Sequence, residues 1–206
     1  MNQSDISARI QNYFNNPTYY TSDDINASIQ DGYDEIGAFS GLFLKSAIVP
    51  FQANLSYYDM LSLLPDYLGV MAIFNSAIKR WMTPSNILRF DRDRIDWETA
   101  LGVPYFFSIV NHRYMAIYKK PAVAGYGSMY VFYHASSPTL GPSDEVAIPF
   151  DYFNTLEDYI LTDLWAQNQE WVKAMDHKES YVNNLQELKT YLKSQRNPDR
   201  ISMLLP

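Results

Sequence analysis

Near the N-terminus apolar residues return twice at helical spacing. Ile6, Ile10, Tyr13 and Phe14 predict a short helix over Ser4–Phe14, ended by Asn15, Asn16 and Pro17. A second helix follows. Thr21 or Ser22 is placed to cap it, Asp23 and Asp24 lie at its positive end, and Ile25, Ile29, Tyr33 and Ile36 form one stripe. The opposite side carries Asp24, Asp31, Asp34 and Glu35. A helix apolar on one side and acidic on the other packs against a core and leaves its acids to solvent or to a basic partner.

Between Gly41 and Pro149 the pattern shortens to runs of Val, Ile, Tyr and Phe broken by Pro, Gly and Asn, which predicts a mainly β insertion. The expected strands are Leu44–Phe51, Val70–Phe74, Ile78–Met82, Tyr105–Val110, Tyr114–Lys119 and Met129–His134. Their links suggest the pairing: residues 75–77 (NSA) and 111–112 (NH) have hairpin length, and 122–127 (AVAGYG) is a longer turn with glycine. The charged stretch from Ser85 alternates too weakly for a strand, and Ser85–Asp91 is expected to be one short helix followed by a loop.

Helical spacing resumes after the proline-rich link 136–149. Asn154 with Glu157 three residues on has the form of a capping box, and Leu156, Tyr159, Ile160, Leu164, Trp171, Ala174 and Met175 continue the stripe. Tyr181, Leu185, Leu188 and Leu192 then mark a long last helix, with Lys178, Lys189, Lys193 and Arg196 weighted toward its C-terminal end, closed by the NPDR at 197–200. The expected fold class is α+β: a helical bundle from residues 1–40 and 150–196, an inserted small antiparallel β unit over 41–149, and an apolar tail over 197–206.

A length of 206 residues suits one core with an insertion. Hydrophobic residues at 47% and charged residues at 19% are ordinary for a folded domain, whereas 17 tyrosines supply much contact surface that is both apolar and hydrogen-bonding. The net charge of -7 repels phosphate backbones, so nucleic acid would need a local basic patch. Zero cysteines remove disulfides, thiolate chemistry and sulfur metal sites. The N-terminus lacks the apolar core of a signal peptide, and the longest apolar run, Leu68–Phe74, is far short of a membrane span, so a soluble, unprocessed product is expected.

Candidate chemistry is sparse. His112, His134 and His177 lie far apart and form no metal-ligand spacing, and no nucleophile elbow or phosphate-binding glycine loop occurs. Asp91, Asp93, Asp96 and Glu98 supply paired carboxylates, but Arg89, Arg92 and Arg94 between them favour ionised, paired acids over a general acid. No enzyme, cofactor or metal is expected. Lys119 and Lys120 form only a two-residue basic step. Tyr105, Phe106, Phe107, Tyr114, Tyr118, Tyr130, Phe132 and Tyr133 alternate, so they divide between core or subunit contacts and a possible stacking platform for sugars or bases.

The order of these signals resembles the head-to-tail connector, or adaptor, proteins of tailed bacteriophages. The resemblance rests on the short helix, aromatic turn and capped helix of residues 6–41, on the middle segments LSLLPDYLGVMAIF, ILRFDRDRIDWETALGVPYFF, HRYMAIYKKP and MYVFYHASSPTL, and on the closing helix pair over 156–189. It implies a structural virion protein at the neck. Copies would form an adaptor ring, twelvefold by family analogy, between the portal protein and the tail or nozzle proteins, sealing the joint while DNA passes without sequence-specific binding. No membrane is implied. The inserted β unit is larger than in all-helical adaptors, so their individual contacts do not transfer.

A ring of identical subunits needs two different lateral patches on each copy. Arg89, Arg92 and Arg94 facing Asp31, Asp34 and Glu35 of a neighbour would supply them. Arg196 and Arg200 with Ile201, Met203, Leu204 and Leu205 would dock the tail on the portal or the adjoining subunit. The alternative function is a tail-associated receptor or glycan-binding module using the aromatic strands.

Overall fold

The computed structural model describes residues 1–14, 20–93 and 96–195. It is an α+β fold, and the chain divides into two compact units, one from Met1–Leu42 with the chain from Ser137 onward, the other from Phe43–Ser136.

The first unit is helical. α1 (Gln3–Phe14) and α2 (Ser22–Ser40) come from the N-terminal part, α5 (Phe153–Gln167) and α6 (Trp171–Gln195) from the C-terminal part. Thr21 caps α2: its Oγ1 accepts the Asp24 N–H at 3.2 Å while the Asp24 carboxylate accepts the Thr21 N–H at 3.0 Å, a reciprocal box that satisfies two end groups. The helix stops at Gly41, whose φ of 65° favours glycine and lets its N–H reach the Gly37 carbonyl. Ile25, Ile29, Tyr33 and Ile36 are fully buried, as their spacing predicts, and meet Leu156, Ile160 and Leu164 of α5 and Tyr181, Leu185 and Leu188 of α6 in the unit's core. Each such side chain contributes roughly 1.5–3 kcal/mol on burial. Residues 137–149 lie on the same helices: Gln30 Oε1 accepts the Leu140 N–H at 2.8 Å, the Tyr33 hydroxyl accepts the Ala147 N–H at 3.1 Å, and Val146 and Ile148 are buried.

Two expectations for the C-terminal helices fail. Asn154 and Glu157 form no capping box, because a 3₁₀ turn at Phe150–Tyr152 leads straight into α5 and places Asn154 inside the helix. Nor does the apolar stripe run on through Trp171 and Met175, both exposed. The chain reverses at Gln169, where φ is 63°, and the helical phase restarts with Ala174 on the buried face.

The second unit is a pair of four-stranded sheets. β1 (Leu44–Pro50), β2 (Tyr57–Asp59), β3 (Tyr67–Asn75), β4 (Arg80–Trp81), β5 (Thr83–Pro84), β6 (Phe106–Val110), β7 (Tyr114–Tyr118) and β8 (Ser128–Ala135) are joined by the short helices α3 (Met60–Leu63) and α4 (Ile87–Asp93). One sheet has the order β1-β8-β3-β4, the other β2-β7-β6-β5. All pairs are antiparallel except β5 with β6. The strands expected on either side of residues 75–77 and 111–112 do pair as hairpins, but the first turn falls at 76–79: Asn75 ends β3 opposite Arg80, and Ile78 and Lys79 of the expected strand Ile78–Met82 lie in the turn. Asn111 and His112, at φ 51° and 54°, form the mirror-image turn that matches strand twist, and Asn75 organises the other loop by accepting the Ala77 N–H at 2.9 Å. The longer turn at 122–127 pairs nothing: β7 and β8, which it connects, belong to different sheets. A loop of that length spans from one sheet to another as readily as it closes a hairpin.

β8 alternates strictly, turning Met129, Val131, Tyr133 and Ala135 inward against Val49, Ile73, Phe107, Met115 and Ile117, so the main core lies between the sheets. β7 is buried on both sides. Opposite Met115 and Ile117, its Ala116 joins Phe90 of α4 and Trp97 in a second small core.

Candidate interaction surfaces

α2 presents the acids of the helical unit. Glu35 Oε1 accepts the Tyr181 hydroxyl at 2.8 Å, and Asp34 accepts from Gln30 Nε2 at 2.8 Å and from the Ser137 hydroxyl. Among the described residues Asp31 has no hydrogen-bond or ion-pair partner, and it is exposed. These acids and Asp163 surround Tyr159. Its hydroxyl pKa is pushed up to about 12, first by burial and then by Glu35, Asp163, Asp31 and Asp34. Burial and the Glu35 carboxylate raise Tyr181 as well. The ridge therefore carries two acids already engaged within the fold and one open to a partner.

The predicted cationic strip lies in the other unit, on α4. Arg92 Nε contacts Asp93 Oδ1 at 2.7 Å and Arg89 Nε contacts Asp93 Oδ2 at 3.3 Å, and both guanidinium groups stay largely in solvent. Asp93 is held below the usual carboxylate range by Arg92 first, with Arg89 adding to it. Arg94 lies outside the described residues, as do Arg196, Arg200, Ile201, Met203, Leu204 and Leu205. The remaining acids of this stretch are structural: Asp91 accepts the Trp97 indole N–H at 2.8 Å, and Glu98 accepts the Tyr57 hydroxyl at 3.1 Å. That pins Trp97 over the outer side of β7.

The aromatic strands divide by face. Phe107 and Tyr133 enter the main core, and Phe106 and Tyr118 pack around Phe90 and Trp97. Tyr130 and Phe132 lie on the outer face of the β1-β8-β3-β4 sheet, where Phe74 meets Trp81 at 5.4 Å and Tyr130 at 6.2 Å, and Trp81 meets Phe132 at 5.6 Å. These edge-on and tilted contacts fill the face with aromatic area that is only partly covered. Ile48 of β1, 64% exposed, lies across from Tyr130 at its margin.

Sequence reasoning missed two surfaces. Trp171, Val172 and Met175 on the first turns of α6 are 63%, 77% and 61% exposed. Their signal was present as apolar residues adjacent in sequence, too dense for a single helix face. The other is the end of the second sheet, where Arg113 clasps Asp59 with one guanidinium edge, a terminal N–H donating to Oδ2 at 2.6 Å and the Nε–H to Oδ1 at 3.0 Å, and holds its carboxyl far below the usual range. Asp59 also accepts the Ser62 N–H at 3.4 Å as cap of α3.

Histidines serve packing and turns. His177 Nδ1 lies 3.2 Å from Asp158 Oδ1, its other ring nitrogen 3.4 Å from the Tyr13 hydroxyl, while His112 sits in the β6–β7 turn. Among the described residues no three His, Asp or Glu side chains come together to hold a metal, and no helix is long and apolar enough to cross a membrane. What the surface offers is charged ridges, aromatic area and strand edges, the means of binding other proteins. No curated protein matches the chain. The family model described as SU10 adaptor protein matches residues 1–202, nearly its whole length, and the chain therefore belongs to this family of phage head-to-tail structural adaptors.

Proposed function

We propose that the protein assembles as a homo-oligomeric ring, twelvefold by family analogy, in the virion neck, with the portal on one side and tail or nozzle proteins on the other. The observation that carries this reading is the family match over residues 1–202. A ring closed by rotation joins two unlike patches, and the chain has them: the acidic ridge of α2 and the arginines of α4. Arg89, Arg92 and Arg94 of one copy face Asp31, Asp34 and Glu35 of the next. Residues 196–206 dock on the portal or the neighbouring subunit through Ile201, Met203, Leu204 and Leu205. The net charge of -7 keeps the channel wall from gripping DNA, so the genome passes and the joint stays sealed.

Imaging of the purified full chain, alone and with the portal ring, tests the reading. Rings are expected in at least one of the two. Asp31→Lys should weaken them, and Asp31→Lys combined with Arg92→Glu should restore them in part. A chain that stays monomeric in the presence of portal overturns the proposal.

A further inference from the structure

β1 bonds to β8 at every second residue. The Ala135 N–H donates to the Phe43 carbonyl at 2.8 Å and the Phe51 N–H to the Gly127 carbonyl at 3.0 Å; between them the register is unbroken, from Leu44 opposite His134 to Pro50 opposite Ser128. In antiparallel pairing, residues that bond to the partner strand alternate with residues whose N–H and C=O point away from it. Phe43 and Phe51 bond to β8, so Lys45, Ala47 and Val49 do too. Leu44, Ser46 and Ile48 turn their amides and carbonyls outward, and Pro50 turns out a carbonyl alone. Among the described residues β1 is the last strand on its side of the sheet, and no other strand lies beside these groups.

Natural edges of this length are usually guarded by a bulge, a central proline or a free lysine. This one is not. Pro50 closes only its end, no register shift interrupts it, and Lys45 is drawn away to Asp66 at 2.5 Å. The exposed Ile48 side chain stands at the same margin, next to the aromatic outer face.

The opposite side of the same sheet is also incomplete. β4 pairs with Phe74 and Asn75, and the Met82 N–H donates to the Ile73 carbonyl at 2.8 Å, so among the described residues only the Tyr67–Ala72 part of the nine-residue β3, whose register against β8 shifts twice, has no strand on that side, with Leu68 exposed. One sheet thus carries two unlike open edges, the condition for identical subunits to add head to tail. We propose that the outer edge of β1 receives the β3–β4 edge of a second copy of this chain, so that the sheet and its aromatic face continue from one subunit to the next. The inference rests on the ring reading and names the joint within it.

The test is hydrogen exchange on the wild-type full chain, resolved to single amides, free and assembled. In the free chain the amides of Lys45, Ala47 and Val49 are protected and those of Leu44, Ser46 and Ile48 exchange freely. Assembly should slow the second set about tenfold or more. Rings in which those three amides stay unprotected overturn the strand joint and leave the ring standing. Protection that needs portal without any self-association overturns the second copy as occupant, and a chain monomeric under all conditions overturns both readings. Ser46→Pro removes an N–H that the fold does not use, and Ile48→Glu alters an exposed side chain. Each should weaken self-association about tenfold or more while the free chain keeps its melting temperature. Unchanged association in both variants also overturns the joint.

Discussion

The Tyr181 hydroxyl donates to Glu35 Oε1 at 2.8 Å and ties the middle of α6 to α2. The tyrosine ring is buried and meets Tyr159 edge-on at 5.3 Å, while the carboxylate stays in solvent. Glu35 is thus a fold residue as well as a candidate contact residue. Tyr181→Phe keeps the ring and removes the bond. Water can still reach the carboxylate, so the expected loss is about 1 kcal/mol in urea unfolding. Charge reversal at Glu35 would mix this loss with any effect on assembly, which makes Asp31 the cleaner position for testing the ring.

Gly32 faces α5 so closely that a Cβ there would lie 2.5 Å from Tyr159 Cδ1 and 3.0 Å from Leu156 Cδ1. Tyr159 cannot simply swing away, since its ring packs on Tyr181. Gly32→Ala would gain about 1 kcal/mol of helix propensity in an open helix. Here the overlap outweighs that gain, and a net destabilisation of roughly 1–2 kcal/mol is expected in denaturant unfolding. Gly32→Ser should cost at least as much.

The α2 stripe was legible because one apolar residue per turn over four turns fits no other structure, and Thr21 with two following acids marks a helix start. Asn154 with Glu157 carried the same kind of local signal and misled, because a preceding 3₁₀ turn decides where α5 begins. Glu157 instead meets Arg9 of α1, with Nε 2.6 Å from Oε1. Strand existence was readable from β-branched and aromatic runs. Sheet membership was not: whether β8 pairs with its sequence neighbour β7 or with β1 and β3 depends on contacts far along the chain. β2 and β5, two or three residues long, carry no periodicity at all. Of the surfaces, the charges were visible as residues, but which acids the fold itself consumes depends on Tyr181, Gln30 and Ser137, distant in sequence.

Trp97 closes the second small core. It is buried against Phe90 and Ala116 and anchored through its indole N–H to Asp91. Trp97→Ala should cost roughly 3–5 kcal/mol, because neither α4 nor β7 can collapse into the space left by the indole. Asp91→Ala removes only the anchor, and about 1 kcal/mol is expected. If the two variants destabilise the chain equally, the anchor rather than the packing holds this lid. Thermal melting followed by tryptophan fluorescence distinguishes the two cases.

Alkaline pH should unfold the protein through its tyrosines. Partial desolvation and then Glu98 push the Tyr57 hydroxyl up to about 12, burial and the surrounding acids bring Tyr159 to about 12, and burial, aided by Glu35, raises Tyr181. In the unfolded chain a tyrosine ionises near 10. Above that value the unfolded state has released protons that the folded state retains, so this stability is fully present below about pH 10 and is lost as pH climbs toward the folded values. The melting temperature should hardly respond to these groups below about pH 9 and should fall progressively above about pH 10. Tyr159→Phe removes one of the retained protons, so its melting temperature should decline less steeply over the same range. A wild-type profile that stays level to about pH 11, or a variant with the same slope as the parent, would mean that these hydroxyls ionise without resistance from the fold.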